Sequence, residues 1–224
     1  ALKCDAYRKR IDMKRIVICA LGAFLLVGCA SKGPSASHSQ RQYVINDHEQ
    51  GLTSVPGSKF NHTLIASVDN YIGTRAGGDC SGFITVLNSK HDELFFSSKD
   101  LPKYFTNGRK SQAIYNYYSR KNLLSDTPRI GDLVFFQNTL RSNKGKINNE
   151  ISHIGVVREI YADGRVKFVH NTRGRNQEDF VNLNKKNVHV AGKKMENSYI
   201  VRCGKDRISC LASNRFAGYG RVNN

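Results

Sequence analysis

Apolar positions along this chain follow one period in its first half and another in its second. Leu64, Ile65, Val68, Tyr71 and Ile72 recur at the spacing of one helix face, and Gly73 ends the pattern. A second helix is expected over the run Phe83-Ile84-Thr85-Val86-Leu87, with Asp79 as N-cap and Cys80 in its first turn. Residues 90–108 are mixed, with turn signals at Pro102 and Asn107-Gly108. A third helix is expected over 111–124, with Ala113, Ile114, Tyr117 and Tyr118 on one side, before Pro128 breaks the chain. From there the period is two. Residues 132–136 read as a buried strand after Gly131. Ile154, Val156, Arg158 and Ile160 alternate with Gly155, Val157, Glu159 and Tyr161, and Asp163-Gly164 turns the chain into a return strand through Val166, Phe168 and His170. Residues 188–190 and 199–202 could add short strands. Helices followed by antiparallel strands indicate an α+β fold with segregated layers.

The first 28 residues stand apart from this pattern. Met13-Lys14-Arg15 opens a basic segment, and 16–28 is an apolar stretch too short to span a bilayer. It ends in Leu26-Val27-Gly28-Cys29-Ala30, which resembles the lipobox of bacterial lipoproteins, in which the cysteine is lipidated and becomes residue one. Residues 1–28 are therefore read as an upstream extension plus signal peptide. Residues 29–60, rich in Ser, Gly, Gln and His, are read as a lipidated flexible tether. The alternative is a plain secretory signal with an incidental cysteine. Ala30, which is not Asp, implies the outer membrane if the source is Gram-negative.

Charge adds a partner class. The chain has 35 Lys+Arg against 18 Asp+Glu, a formal charge of +17. Residues 1–28 carry +4 of it, so the exported chain keeps +13, which points to the anionic envelope, wall polymer or lipid head groups, and no nucleic-acid recognition motif accompanies it. Cys4 and Cys19 fall in the segment removed with the signal; once Cys29 and Cys80 are assigned, Cys203 and Cys210 remain as a natural disulfide in an oxidising compartment, within a C-terminal tail over 203–224. Two unpaired thiols are the alternative.

Cys80 is the candidate nucleophile. Gly77-Gly78-Asp79-Cys80-Ser81-Gly82 keeps bulk away from it, and a helix start favours thiolate, so its pKa is expected below the ordinary value of about 8.5. A thiolate nucleophile needs a base and the base an orienting partner. His38 and His48 fall in the tether, His62 opens the first helix, His91 ends the second, and His189 lies in a polar stretch. His153 and His170 sit on the hairpin. A two-residue Asp163-Gly164 turn pairs Ala162 with Arg165 and puts both histidines on one face, but sets His170 opposite Val157, about 13 Å along the strand from His153. A bulge, strong coiling or a different loop must close that gap, or the orienting residue is another, such as Asn171.

Gly78-Asp79-Cys80-Ser81-Gly82-Phe83, Gly131-Asp132-Leu133-Val134-Phe135-Phe136, His153-Ile154-Gly155-Val156-Val157 and Phe168-Val169-His170 together resemble the ordered motifs of the NlpC family of papain-like cell-wall cysteine peptidases. The resemblance covers about 61–202. It implies a circularly permuted papain-like α+β fold, N-terminal helices on an antiparallel sheet, and cleavage of peptidoglycan stem peptides between D-glutamate and the diamino acid. It also implies Cys80 as nucleophile, His153 as base and His170 as the orienting residue. Asp79 and Ser81 match positions that bind the free amine of a stem peptide. Arg75-Ala76-Gly77-Gly78 runs directly into Asp79, and Tyr71 is the candidate for the family's tyrosine near the nucleophile. The histidines form no Cys/His ligand cluster, so no metal or cofactor is expected. The competing functions are a wall amidase or acyltransferase of the same fold, and a non-catalytic wall-binding lipoprotein.

Overall fold

The computed structural model describes residues 59–106, 108–140, 148–202, 204 and 207–222. The signal segment, Cys29, the tether up to residue 58, Cys203 and residues 141–147 of the basic, polar stretch over 141–149 lie outside the described residues. The architecture is α+β. Three helices, α1 (Lys59–Tyr71), α2 (Cys80–Lys90) and α3 (Lys110–Arg120), precede a six-stranded antiparallel sheet. Its strands are β1 (Leu124–Ser125), β2 (Leu133–Gln137), β3 (Ile151–Ile160), β4 (Arg165–Thr172), β5 (Arg175–Asn182) and β8 (Phe216–Gly220), in the order β1-β8-β2-β3-β4-β5. A small ribbon of β6 (Val190–Ala191) and β7 (Lys194–Met195) and a one-turn helix α4 (Ala212–Arg215) complete it.

Alternation along the strands divides the core in two. Leu133, Phe135, Ile154, Val156 and Val169 pack with Leu64, Val68, Phe83, Ile84, Leu87, Ile114 and Tyr118 of the helices. Val134, Phe136, Val157, Val166, Phe168, Val181 and Tyr219 form a second cluster with Ala212 on the opposite face.

Three expectations change. The third helix stops at Arg120, because Asn122 takes a left-handed φ of 56° and Leu123 N–H bonds back to Tyr118 O; Leu124 then pairs with Gly220. Of the two short strands, only Val190 is taken up in a ribbon, while Tyr199 makes a single bridge to Leu211. Most important for the domain limits, the last described residues do not trail from a domain ending at 202. β8 lies inside the sheet between β1 and β2, with a glycine at 220 where a Cβ would come within 2.7 Å of Tyr118 and 2.8 Å of Phe135.

Candidate active site

α2 begins where the sequence suggests. Asp79 is extended (φ −139°, ψ −179°), and its Oδ1 accepts Gly82 N–H at 2.7 Å and Ser81 Oγ–H at 3.0 Å. The turn before it needs Gly77: at φ 85°, a Cβ there would lie 2.2 Å from Phe83 N. Cys80 is partly buried and is the free cysteine among the described residues.

The sulfur meets the sheet at an opening between strands. β3 pairs with β4 from Ile160–Val166 to Val156–Val169 and no further. Val157 donates to Asp132 O and accepts from Gly131 N–H, so in this stretch odd residues bond toward β2 and even residues toward β4. Ile154 N–H therefore faces the side that β4 has left, and it is turned to Cys80 Sγ.

The expected depression of the Cys80 pKa is not found. Burial, followed by the Asp79 carboxylate, pushes the thiol up to about 11, against the pull of the N–H groups of Ile154, Ser81 and Cys80. A helix start is an electropositive site only while its cap is uncharged, and here the cap is a carboxylate next to the thiol. The raised value favours the neutral thiol of Cys80 over the thiolate.

The two histidines meet by two register shifts that no sequence pattern signals. The turn is wider than two residues, with Tyr161 N–H bonding Arg165 O at 2.9 Å, so Ile160 pairs with Val166. A bulge at Arg158 shifts the ladder again, and Val157 pairs with Phe168 where the sequence alone set it opposite His170. One shift alone would have put the histidines on opposite faces; two restore the face and halve the separation. Continuing that register sets His170 beside Gly155, two residues from His153. Gly155 suits this crowding, since a Cβ there would lie 2.9 Å from Val169 O and 3.2 Å from His170 Cβ.

The rings stand perpendicular, and His153 Nε2 lies 2.5 Å from His170 Nδ1. His170, 1% exposed, reaches with its other nitrogen to Asp179 Oδ2 at 2.9 Å. A carboxylate only accepts, so His170 Nε2 carries the proton in this hydrogen bond. With His170 neutral, its Nδ1 is then an acceptor and takes the proton of His153 Nε2–H. The His153 lone pair is left on Nδ1. Burial, then the neighbouring His170, holds the His153 pKa well below the usual imidazole range. Burial works to raise Asp179, but the hydrogen bonds from His170, Ser198 and Gln177 keep it below the usual carboxylate value. Among the described residues no hydrogen bond joins the His153 ring to Cys80; the thiol is held at the peptide N–H next to it.

Asp179 was not legible as a site residue, because β5 (RNQEDFVN) has no apolar alternation. The signal was indirect: Phe168 pairs with Asp179 and His170 with Gln177, so a hairpin turn at Arg173-Gly174 would have put Asp179 on the histidine face. Asn171 is not on that face. Its Nδ2 donates to Asn176 Oδ1 at 2.8 Å and reaches Ala76 O at 3.5 Å, and Asn176 bonds Thr74 and Ala76, so the pair holds the loop before Cys80 against the β4–β5 hairpin.

The remaining expected residues separate. Tyr71 packs edge-on against Phe83 at 6.3 Å with Lys90 over its ring, on the flank of α2. Asp79 is exposed and both its hydrogen bonds fall on one oxygen. Cys210 is buried and disulfide-bonded, while Cys203, its expected partner, and Cys29 lie outside the described residues. No family model matches this chain, and no curated protein or solved structure matches it either.

Proposed function

We propose that this chain is a papain-like cysteine peptidase of the bacterial envelope that cleaves peptidoglycan stem peptides between D-glutamate and the diamino acid. The observation that carries the reading is the series Asp179–His170–His153, which runs to the peptide N–H holding the Cys80 thiol. A half-buried carboxylate orienting one histidine, which orients a second with a free nitrogen, is an arrangement suited to a general base.

In this mechanism Cys80 Sγ attacks the amide carbonyl carbon as its proton passes to His153 Nδ1. The imidazolium so formed is stabilised through His170 and Asp179. Backbone N–H groups at the start of α2, that of Cys80 among them, stabilise the oxyanion. The C–N bond breaks as His153 returns the proton to the leaving amine. Water, deprotonated by His153, then attacks the thioester, releasing the acid and the thiol. A neutral thiol and a neutral imidazole start this cycle, which agrees with the raised thiol and lowered imidazole pKa values. Asp79, through its second oxygen, and Ser81 receive the free amine of the stem peptide, and Tyr71 borders that end. Cys29 carries the lipid anchor that keeps the domain at the membrane facing the wall, and Cys203 is the disulfide partner of Cys210.

The raised thiol pKa favours a second reading, a non-catalytic lipoprotein that binds wall peptide. Digestion of purified peptidoglycan, followed by mass spectrometry of the fragments, separates the readings. New N-terminal diamino acids, absent with Cys80→Ala, are expected. Intact freed stems would mean an amidase, and an unchanged wall would mean a binding protein.

A further inference from the structure

The β6–β7 ribbon stands apart from both cores. Val190 pairs with Met195 and Ala191 with Lys194 across the two-residue turn Gly192-Lys193, where Gly192 takes the left-handed φ of 61° that favours glycine. Cross-strand partners share a face. The face of Lys194 is turned to the domain. Lys194 Nζ lies 3.7 Å from Asp163, and Glu196, of the same parity, is buried with Asn182 Nδ2 and Lys185 Nζ donating to its carboxylate. Val190 and Met195 share the other face; both are exposed, and neither belongs to a core cluster.

A ribbon with two residues in each strand is not stable alone. Its base is held by buried polar groups. Asn197, fully buried, accepts Asn182 N–H at 2.7 Å and donates to Lys185 O and Val188 O at 2.8 and 2.9 Å. Ser198 exchanges hydrogen bonds with Phe180 of the edge strand β5. The fold thus fixes firmly a tip whose apolar pair has no part in packing. Charge of one sign surrounds that pair. Residues 183–195 hold Lys185, Lys186, Lys193 and Lys194 and no acid. Lys185 and Lys194 face Glu196 and Asp163, whereas Lys186 and Lys193 have no carboxylate partner among the described residues.

We propose that the ribbon tip docks on an anionic phospholipid surface, with Val190 and Met195 entering the interface and Lys186 and Lys193 on the head groups. A soluble polyanion would engage the lysines and leave the apolar pair in water. A second copy of the chain would set lysines against lysines, and two apolar side chains bury far less than the roughly 800 Å² per partner of a stable dimer. A bilayer interface takes apolar and basic side chains together. The inference rests on the reading of Cys29 as a lipid anchor. Residues 30–58, read as the tether, reach about 30 Å as a flexible chain. Docking is then intramolecular at high effective concentration, and a small patch suffices.

The chain has no tryptophan, so an indole introduced at position 190 reports alone. Mature, lipidated protein carrying Val190→Trp is reconstituted in phosphatidylcholine vesicles with and without phosphatidylglycerol. With phosphatidylglycerol, its emission should move to shorter wavelength and be quenched by brominated acyl chains. Lys186→Glu together with Lys193→Glu, or high salt, should remove both effects. Phe105→Trp, at another exposed apolar position, should show neither. Position 190 is exposed, and an unchanged melting temperature checks that the variants fold. Equal emission on the two kinds of vesicle, quenching that survives charge reversal, or equal quenching at Phe105→Trp would overturn the docking surface. A shift produced by peptidoglycan fragments and not by vesicles would assign the tip to wall polymer and overturn it too. Mass spectrometry of Cys29 separates the premise. An unacylated cysteine would overturn the anchor and this inference with it, while an acylated chain whose indole stays in water would overturn the docking alone.

Discussion

The two faces of the central sheet are made by alternate residues of the same strands, yet they differ in kind. On the helix side, Phe135, Ile154, Val156 and Val169 meet Phe83, Ile84 and Leu87, all fully buried and apolar. On the other side, Phe136, Val157 and Phe168 share the surface with His153, His170 and Asp179. Cys80 packs at the edge of the helix-side core, and its sulfur meets the Ile154 N–H, one residue on from His153, at the opening between β3 and β4. The comparison teaches that stability and chemistry are separated by parity: the closed face supplies rigidity, and the other face spends its alternate positions on polar groups that the rigid backbone holds in line.

That separation can be broken from either side. The largest effect is expected on the closed face. Phe83→Ala should lower unfolding free energy by about 3–5 kcal/mol, read in urea titrations, because it empties a fully buried site under α2. A loss below about 1 kcal/mol would mean that the helix layer is not the stabilising face.

On the histidine face the effect should move to chemistry. Asp179→Asn removes the acceptor that fixes the His170 tautomer, and kcat on wall fragments should fall roughly 10- to 100-fold with little change in melting temperature. The pH profile sharpens the point. His153 is a base only when neutral, and its pKa is lowered, so wild-type activity should persist as pH falls through the usual imidazole range and fail only below it. Loss of the Asp179 charge disfavours the imidazolium further. An acid limb at or above the ordinary imidazole value would contradict a His153 whose pKa is lowered. A smaller effect is expected at Gly155, on the histidine face. Gly155→Ala puts a methyl against Val169 O and His170 Cβ, and should cost about 1–3 kcal/mol with a parallel fall in activity.

How much of this was legible follows the same division. α1, α2, α3 and the strands β2 to β4 carry apolar residues at a clear period, and all appear in the fold. β5 and β8 do not announce themselves: one is a polar edge strand, the other (FAGYG) is glycine-rich, and both are recognised only by their partners. The shared face of His153 and His170 followed from parity, but their contact did not, because it needs a wider turn and a bulge at Arg158. The helix start at Cys80 was visible in Asp79 and the apolar run from Phe83, whereas the raised pKa of Cys80 depends on burial and on the cap's charge acting together.

The central claim is that His153 activates Cys80. The most direct measurement is labelling with a D-glutamyl acyloxymethyl ketone at neutral pH, with the modified residue located by mass spectrometry and the rate compared between wild type and His153→Ala. A thiol with a pKa near 11 does not react quickly unaided, so the account predicts labelling of Cys80 in the wild type and none above background in His153→Ala. Equal labelling rates in the two proteins, or an unlabelled wild type, would contradict it.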